Sequence, residues 1–89
     1  MNDDLDVATE VALAMAQSTV QQAIDKARIT KAELARRTGL TRPYVSAILK
    51  GSHNLTVKTM SRCLFACGYE VAFKLRSLAP TAKKGRSNR

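Results

Sequence analysis

The stretch KAELARRTGLTRPYVSAILK, residues 31–50, decides the fold of this chain. Its pattern predicts two short helices, 31–38 and 42–50, joined by a tight turn. Gly39 lies where the turn needs a positive φ, which glycine adopts without strain. This is the layout of a helix-turn-helix, in which the second helix enters the major groove of DNA. The side chains expected to hold the two helices together are Leu34, Ala35, Leu40, Val45, Ile48 and Leu49.

Capping patterns predict where the helices begin and end. Thr30 with Glu33 forms a capping box, and Ser18 with Gln21 forms another. Thr41 and Thr56 are suitable N-caps for later helices, because a threonine hydroxyl accepts a hydrogen bond from a free backbone N–H. The sequence therefore predicts a mainly α bundle of about five short helices, at 4–16, 19–28, 31–38, 42–50 and 57–67. One long N-terminal helix is an alternative to the first two.

After Gly68 the apolar residues no longer follow a helical spacing and instead occupy every second position. Apolar residues then alternate with Glu70, Ala72, Lys74 and Arg76, as in a strand. A single strand in a helical chain leaves its backbone groups unpaired, so we expect it to pair with its copy across a two-fold axis. An irregular apolar arm folded onto the helices is the alternative. The residues of the predicted dimer strand are Tyr69, Val71, Phe73 and Leu75.

Charge divides the chain of 89 residues into two parts. Residues 1–25 carry five acids and no base, whereas residues 26–89 carry fifteen bases and two acids, so the net charges are −5 and +13. A basic body is typical of proteins with a polyanionic partner, most commonly nucleic acid. We expect three segments: an acidic, alanine-rich helix at 1–18, a DNA-binding domain with a dimerising strand at 19–76, and a basic disordered tail at 77–89.

Few residues are available for metal binding or catalysis. Cys63 and Cys67 are four apart, and His53 is the only histidine, so neither a zinc site nor a Cys–His pair is expected. Apolar runs fall short of the roughly 20 residues that span a membrane. The sequence predicts a cytoplasmic, nucleoid-associated protein that is not an enzyme, has no membrane partner and requires neither a cofactor nor a metal.

Three stretches carry a resemblance to a known family: ITKAELARRTGLTRPYVSAILKG, NLTVKTM and ACGYEVAFKL. Residues from about 20 to 76 resemble the Xre family of lambda-repressor-like helix-turn-helix proteins. The resemblance implies a lambda-repressor-like bundle that binds double-stranded DNA. It further implies that exposed residues at the start of the second helix contact base edges and that residues around that helix contact phosphates.

Carried onto this sequence, the resemblance yields two sets of site residues. The candidates for base readout are Thr41, Arg42, Pro43, Tyr44, Ser46 and Ala47. The candidates for phosphate contacts are Lys31, Lys50, Ser52, Asn54 and Lys58.

The candidates for base readout differ in what their side chains can do. The Arg42 guanidinium can bond O6 and N7 of guanine together, which contributes about 1–3 kcal/mol of discrimination, although a phosphate contact is the alternative. Pro43 departs from the polar residue frequent at this position in the family. Tyr44 can contact DNA through its hydroxyl or pack beside helix 31–38.

Three functions remain open at the level of sequence. The first is a homodimeric transcriptional regulator, most simply a repressor, that reads a palindromic operator. The second is an antitoxin that binds a toxin protein and represses its own operon, since small Xre-like proteins with this C-terminal ending resemble antitoxins. The third is a nucleoid protein that binds DNA without sequence specificity.

Overall fold

A computed structural model describes residues 2–51 and 55–78. The described part of the chain forms four helices and no strand. Helix α2 packs against α3 and α4, and α1 packs against the same two helices. The helix bounds are α1 Asn2–Ala27, α2 Lys31–Thr38, α3 Arg42–Lys50 and α4 Val57–Ala66.

Three threonines cap the helices that follow α1, as the sequence predicts. The hydroxyl of Thr30 accepts from the N–H of Glu33 at 3.0 Å, and that of Thr41 accepts from the N–H of Tyr44 at 3.2 Å. Thr56 does the same for α4 at 3.1 Å. Each cap satisfies one N–H that the first helical turn leaves unpaired. The bounds predicted for α2 and α3 are therefore confirmed.

Glycines end α2 and α3 in the left-handed conformation. Gly39 has a φ of 81° and donates its N–H to the carbonyl of Ala35 at 2.9 Å, and Gly51 has a φ of 85° at the end of α3. These angles strain any residue with a Cβ, so the positions favour glycine. Helix α4 ends at Ala66, one residue before the predicted end, and Cys67 is its C-cap.

One apolar core lies between the four helices. Leu34, Ala35, Val45 and Ile48 are buried as predicted, and Leu40 and Leu49 are partly buried against them. Helical spacing within α4 predicts a buried stripe of Val57, Met60, Leu64 and Cys67, and this prediction is wrong at Val57, which is 57% exposed. Val57 is the first residue of α4, and the buried positions of that helix are Cys63 and Leu64. The other buried apolar residues are Val20, Ala23, Ile24, Leu55 and Cys67.

Helix α1 is one continuous helix of 26 residues, so the predicted break near Ser18 is wrong and the one-helix alternative holds. Within it the Thr19 hydroxyl bonds to the Met15 carbonyl at 2.8 Å across the predicted break. The segment contains neither glycine nor proline, and extending an existing helix costs less than nucleating a second one. The described bundle therefore has four helices rather than about five. The predicted boundary between an N-terminal segment and the DNA-binding domain, at residues 18 and 19, stays a prediction.

The N-terminal half of α1, residues 2–16, is here called the acidic half; its Leu13 and Ala16 pack against the core, and residues 3–12 are exposed. It has four acids and no base. Leu5, Val11 and Met15 are 66%, 51% and 63% exposed. These side chains follow one another at helical spacing and are therefore left largely uncovered by the residues that the structure describes.

Residues 69–78, here called the C-terminal arm, have neither helix nor strand in the single chain. The N–H of Tyr69 donates to the carbonyl of Leu64 at 2.8 Å, and Val71 packs against the core. Beyond Val71 the side chains are exposed. Strand pairing needs a second chain, so the dimer strand at Tyr69, Val71, Phe73 and Leu75 stays a prediction.

None of the helices in the described residues has the length and hydropathy to cross a membrane.

Candidate nucleic-acid interface

Helix α3 has a buried side and an exposed side that follow from its sequence. Val45 and Ile48 are fully enclosed by the core, so the opposite side of the helix faces outward. Arg42 and Pro43 are exposed in its first turn, and Lys50 is exposed in its last. Ser46 and Ala47 are half-buried and lie one turn after Arg42 and Pro43. Five predicted DNA contacts, Arg42, Pro43, Ser46, Ala47 and Lys50, therefore share one helix face.

The start of α3 is a rigid platform for Arg42. Thr41 caps the helix through its side chain, and the ring of Pro43 restricts the backbone of the first turn. Arg42 lies between them at the first helical position. Its Cα position is consequently fixed, while its long side chain is free to reach outward.

Lysine or arginine side chains occupy the first turns of three helices, where a positive charge interacts unfavourably with the helix dipole. Lys31 is exposed at the first position of α2, Arg42 at that of α3, and Lys58 at the second position of α4. The first turns of α3 and α4 contain no acid. A cation at a helix N-terminus is unfavourable by a few tenths of a kcal/mol, up to about 1 kcal/mol. An anion bound there removes this penalty, and backbone N–H groups and a side-chain cation then act on it together.

Tyr44 is placed differently from its neighbours. It is half-buried and packs against the core, whereas Arg42 and Pro43 are exposed. The ring of Tyr44 therefore packs within the protein, which was one of the two placements considered for it. Thr41 is exposed and its hydroxyl is engaged as the cap of α3. The predicted contacts at Ser52 and Asn54 lie outside the described residues.

Two arginines that the sequence analysis left without a role join α2 to α4. Arg37 donates to the carbonyl of Ala66 at 2.9 Å, and Arg62 donates to the carbonyl of Thr38 at 2.5 Å. Both carbonyls are at helix C-termini, where unpaired C=O groups and the helix dipole favour a cation. These arginines therefore tie the end of α2 to α4. No local pattern identifies them, because their partners are 29 and 24 residues away.

Glu33 joins the two arginines of α2. Its carboxylate accepts from Arg37 Nε at 2.7 Å and from Arg36. These hydrogen bonds, first that of Arg37 and then that of Arg36, lower the pKa of Glu33 below its ordinary value of 4.5. Glu33 therefore serves as a local counterion on α2, in addition to supplying the capped N–H.

The cysteines are core residues. Cys63 is fully buried, and burial, followed by the nearby Cys67, raises its pKa to about 11. Burial also raises the pKa of Cys67. Both thiols are protonated at neutral pH and are poor nucleophiles. Within the described residues, no group of histidine, cysteine and acidic side chains is arranged to hold a metal ion.

Comparison with known proteins places this fold in a family. The model of the helix-turn-helix family HTH_3 matches residues 20–73, which include the last eight residues of α1, all of α2 to α4 and part of the C-terminal arm. The chain belongs to this Xre-type helix-turn-helix family.

A solved structure supports the same assignment over a longer stretch. Its name assigns it to the XRE family of transcriptional regulators, and it is 28% identical to this chain with a TM-score of 0.56. The likeness covers 91% of this chain and 89% of the other. Among curated proteins, none matches this chain. The family and the solved structure together support a DNA-binding transcriptional regulator, a class whose members are typically not enzymes.

Proposed function

We propose that this protein is a sequence-specific transcriptional repressor that binds a palindromic operator as a homodimer. The observation that carries the proposal is the outward face of α3, on which Arg42 stands at a capped helix N-terminus. A helix presented in this way enters the major groove with its N-terminal residues at the base edges. The protein would act on DNA in the cytoplasm.

Arg42 has the leading role in recognition. Its exposed guanidinium can donate to guanine O6 and N7 together, a contact that the other bases do not offer. Pro43 and Ala47 have only apolar side chains and fit a thymine methyl group, whereas Ser46 can donate or accept. Tyr44 is partly held by the core and is assigned the edge of the contact area, and Thr41 contributes chiefly by capping α3.

Phosphate contacts flank this face. Lys31 and Lys58 extend from helix N-termini, and Lys50 lies at the end of α3. Ser52 and Asn54 are the proposed contacts in the loop that follows. Such contacts orient the protein on DNA without reading sequence, and they make affinity fall with salt.

The homodimer is proposed from the C-terminal arm. Tyr69, Val71, Phe73 and Leu75 alternate with polar or small residues, and Phe73 and Leu75 are 71% and 98% exposed. Pairing of two arms would join two reading helices at a fixed spacing. Dimers of this kind bind half-sites separated by about 34 Å, one turn of DNA.

Selection of bound sequences from random DNA tests the proposal. The affinity for the selected site is then measured for two variants of Arg42 and one of Arg36. Arg42→Ala should weaken binding to the selected site by ten- to a hundredfold, the effect of a lost bidentate contact. Arg42→Lys keeps the charge and loses the planar fork, so it should retain non-specific affinity and lose discrimination at one guanine. Arg36→Ala removes the same charge from an exposed position of α2 and should alter binding far less.

Two outcomes would contradict the proposal. The first is that selection enriches no sequence, while affinity for all DNA is similar and falls steeply with salt; this result would favour the nucleoid alternative. The second is that Arg42→Ala and Arg36→Ala weaken binding equally, which would assign Arg42 to a phosphate.

An antitoxin is the second candidate function. The uncovered acidic half of α1 favours it, since a basic protein is a suitable partner for a surface with four acids and no base. A small basic protein that is encoded next to this gene and co-purifies with the chain at native expression would support this function. Purification of the chain alone would count against it.

A further inference from the structure

The acidic half of α1 has an apolar stripe that the single chain leaves uncovered. Its members fall at helical spacing: Leu5, Ala8, Val11, Ala12 and Met15. Leu5 and Met15 are each more than 60% exposed. Scattered apolar residues on a surface are ordinary, but a continuous stripe marks an interaction site.

The stripe continues into a groove beside the C-terminal arm. Ala12 and Met15 line this groove together with Met60, Val71 and Phe73, and its volume is about 570 Å³. The two uncovered elements therefore meet: the stripe of the acidic half on one side and the exposed side chains of the arm on the other.

The rest of the chain has little with which to cover this surface. Residues 79–89 contain alanine, proline, glycine, polar and basic residues, but no large apolar side chain. The arm of the same chain already contacts the groove and still leaves Leu5 and Val11 exposed. Contact with a second molecule would remove the stripe from water.

We propose that the acidic half of α1 docks on the C-terminal arm of a second copy of this chain. The charges of the two segments are opposite in sign: residues 2–16 carry −4, whereas the arm carries two basic residues and one acid, a net charge of +1, and residues 79–89 after it add four basic residues. The arm also has the exposed apolar side chains of Phe73 and Leu75, which can pack against the apolar stripe. Charge selects the orientation of two such surfaces, and apolar burial supplies most of the stabilisation.

Two-fold symmetry doubles this contact. The acidic half of each copy covers the arm of the other, so the assembly closes as a dimer and does not grow into a fibre. The inference rests on the proposed homodimer and deepens it. Pairing between the arms satisfies backbone groups, and the acidic half covers the apolar side chains that such pairing leaves in water.

Sedimentation of full-length variants over a range of concentrations tests the contact. The double variant Leu5→Gln, Val11→Gln should raise the dimer dissociation constant at least tenfold. Glutamine is a better helix former than valine and nearly equal to leucine, so α1 stays helical. The control Ala14→Gln introduces the same residue at an exposed position outside the stripe and leaves the charge of the acidic half unchanged, so it should change the constant less than threefold.

Disulfide trapping tests which surfaces meet. Protein carrying Val11→Cys is mixed with protein carrying Leu75→Cys and oxidised with glutathione disulfide. We expect mixed dimers, whereas Glu10→Cys with Leu75→Cys should yield few. The native cysteines are buried and do not compete. Preferential linkage of Val11→Cys to itself would overturn the docking of helix on arm.

Two further results separate this inference from the proposed function. If the double variant remains as dimeric as the wild type and binds selected DNA equally well, the docking inference fails and the repressor stands. If the wild type is monomeric at all concentrations, the inference fails, and the uncovered stripe is left to another partner. Failure of the wild type to bind any selected DNA would instead overturn the regulator.

Discussion

Two parts of this molecule use the same sequence pattern with opposite results. In residues 20–67, most apolar side chains at helical spacing are buried: Val20, Leu34 and Ile48 are at most 1% exposed, and Val57 at the start of α4 is an exception. In the acidic half of α1, Leu5 and Val11 follow the same spacing and remain more than half exposed. Periodicity therefore identifies the apolar face of a helix, but it does not reveal whether that face has a partner within the chain.

The difference lies in what surrounds each segment. Residues 20–67 contribute parts of all four helices, which enclose one another and are joined by Arg37 and Arg62 across α2 and α4. The acidic half packs on the core only through its last turn, at Leu13 and Ala16, so its earlier residues are helical chiefly as a continuation of α1. The following predictions test this contrast, beginning with the largest effect.

Leucine-to-alanine substitution at matched positions should separate the two parts most clearly. Leu34→Ala removes a fully buried side chain and should lower the free energy of unfolding by about 2–5 kcal/mol. Leu5→Ala should change it by less than about 0.5 kcal/mol when the chain is monomeric. Urea unfolding at low protein concentration measures both. Equal losses would mean that the acidic half is packed within a single chain.

Threonine-to-alanine substitution should change the stability by a smaller amount, with opposite signs in α3 and in the acidic half. Thr41→Ala removes the cap of α3 and should destabilise the protein by about 1 kcal/mol. Thr9→Ala removes only a bond to the Leu5 carbonyl within the helix, and alanine is the better helix former, so it should be neutral or stabilise by a few tenths of a kcal/mol. Thermal unfolding followed by circular dichroism compares the pair. Destabilisation by both would indicate that α1 depends on local hydrogen bonds as α3 does.

Glu33 should give a small effect that depends on pH. Its pKa is lowered in the folded state, so its contribution is present above the ordinary value of 4.5 and is lost as pH falls through the lower folded value. The melting temperatures of wild type and Glu33→Gln should therefore differ at pH 7 and converge as the pH falls below the lowered pKa of Glu33, where both side chains are neutral. A difference that stays the same down to the lowest pH at which both proteins fold would contradict the role of the two arginines.

Much of the reading unit follows from local sequence. Thr30 and Thr41 as caps and Gly39 as a left-handed stop set α2 and α3 to the residue, because each acts within one helical turn. The same local rules mislead at Ser18, where a capping pattern lies inside a continuous helix. A cap forms only where the backbone departs from helical angles, and the uninterrupted apolar spacing through Leu13, Ala16 and Val20 keeps the helix going.

The sequence by itself determined the helix-turn-helix, its caps, its outward face with Arg42, and the separation of charge along the chain. These depend on residues within a few positions of one another, where backbone geometry leaves little choice. Only the tertiary structure decided that Arg37 and Arg62 join helices, that Tyr44 packs against the core, and that the described residues leave most of the acidic half uncovered. Each of these depends on side chains that are distant in sequence and meet only when the helices pack, and no local pattern encodes that meeting.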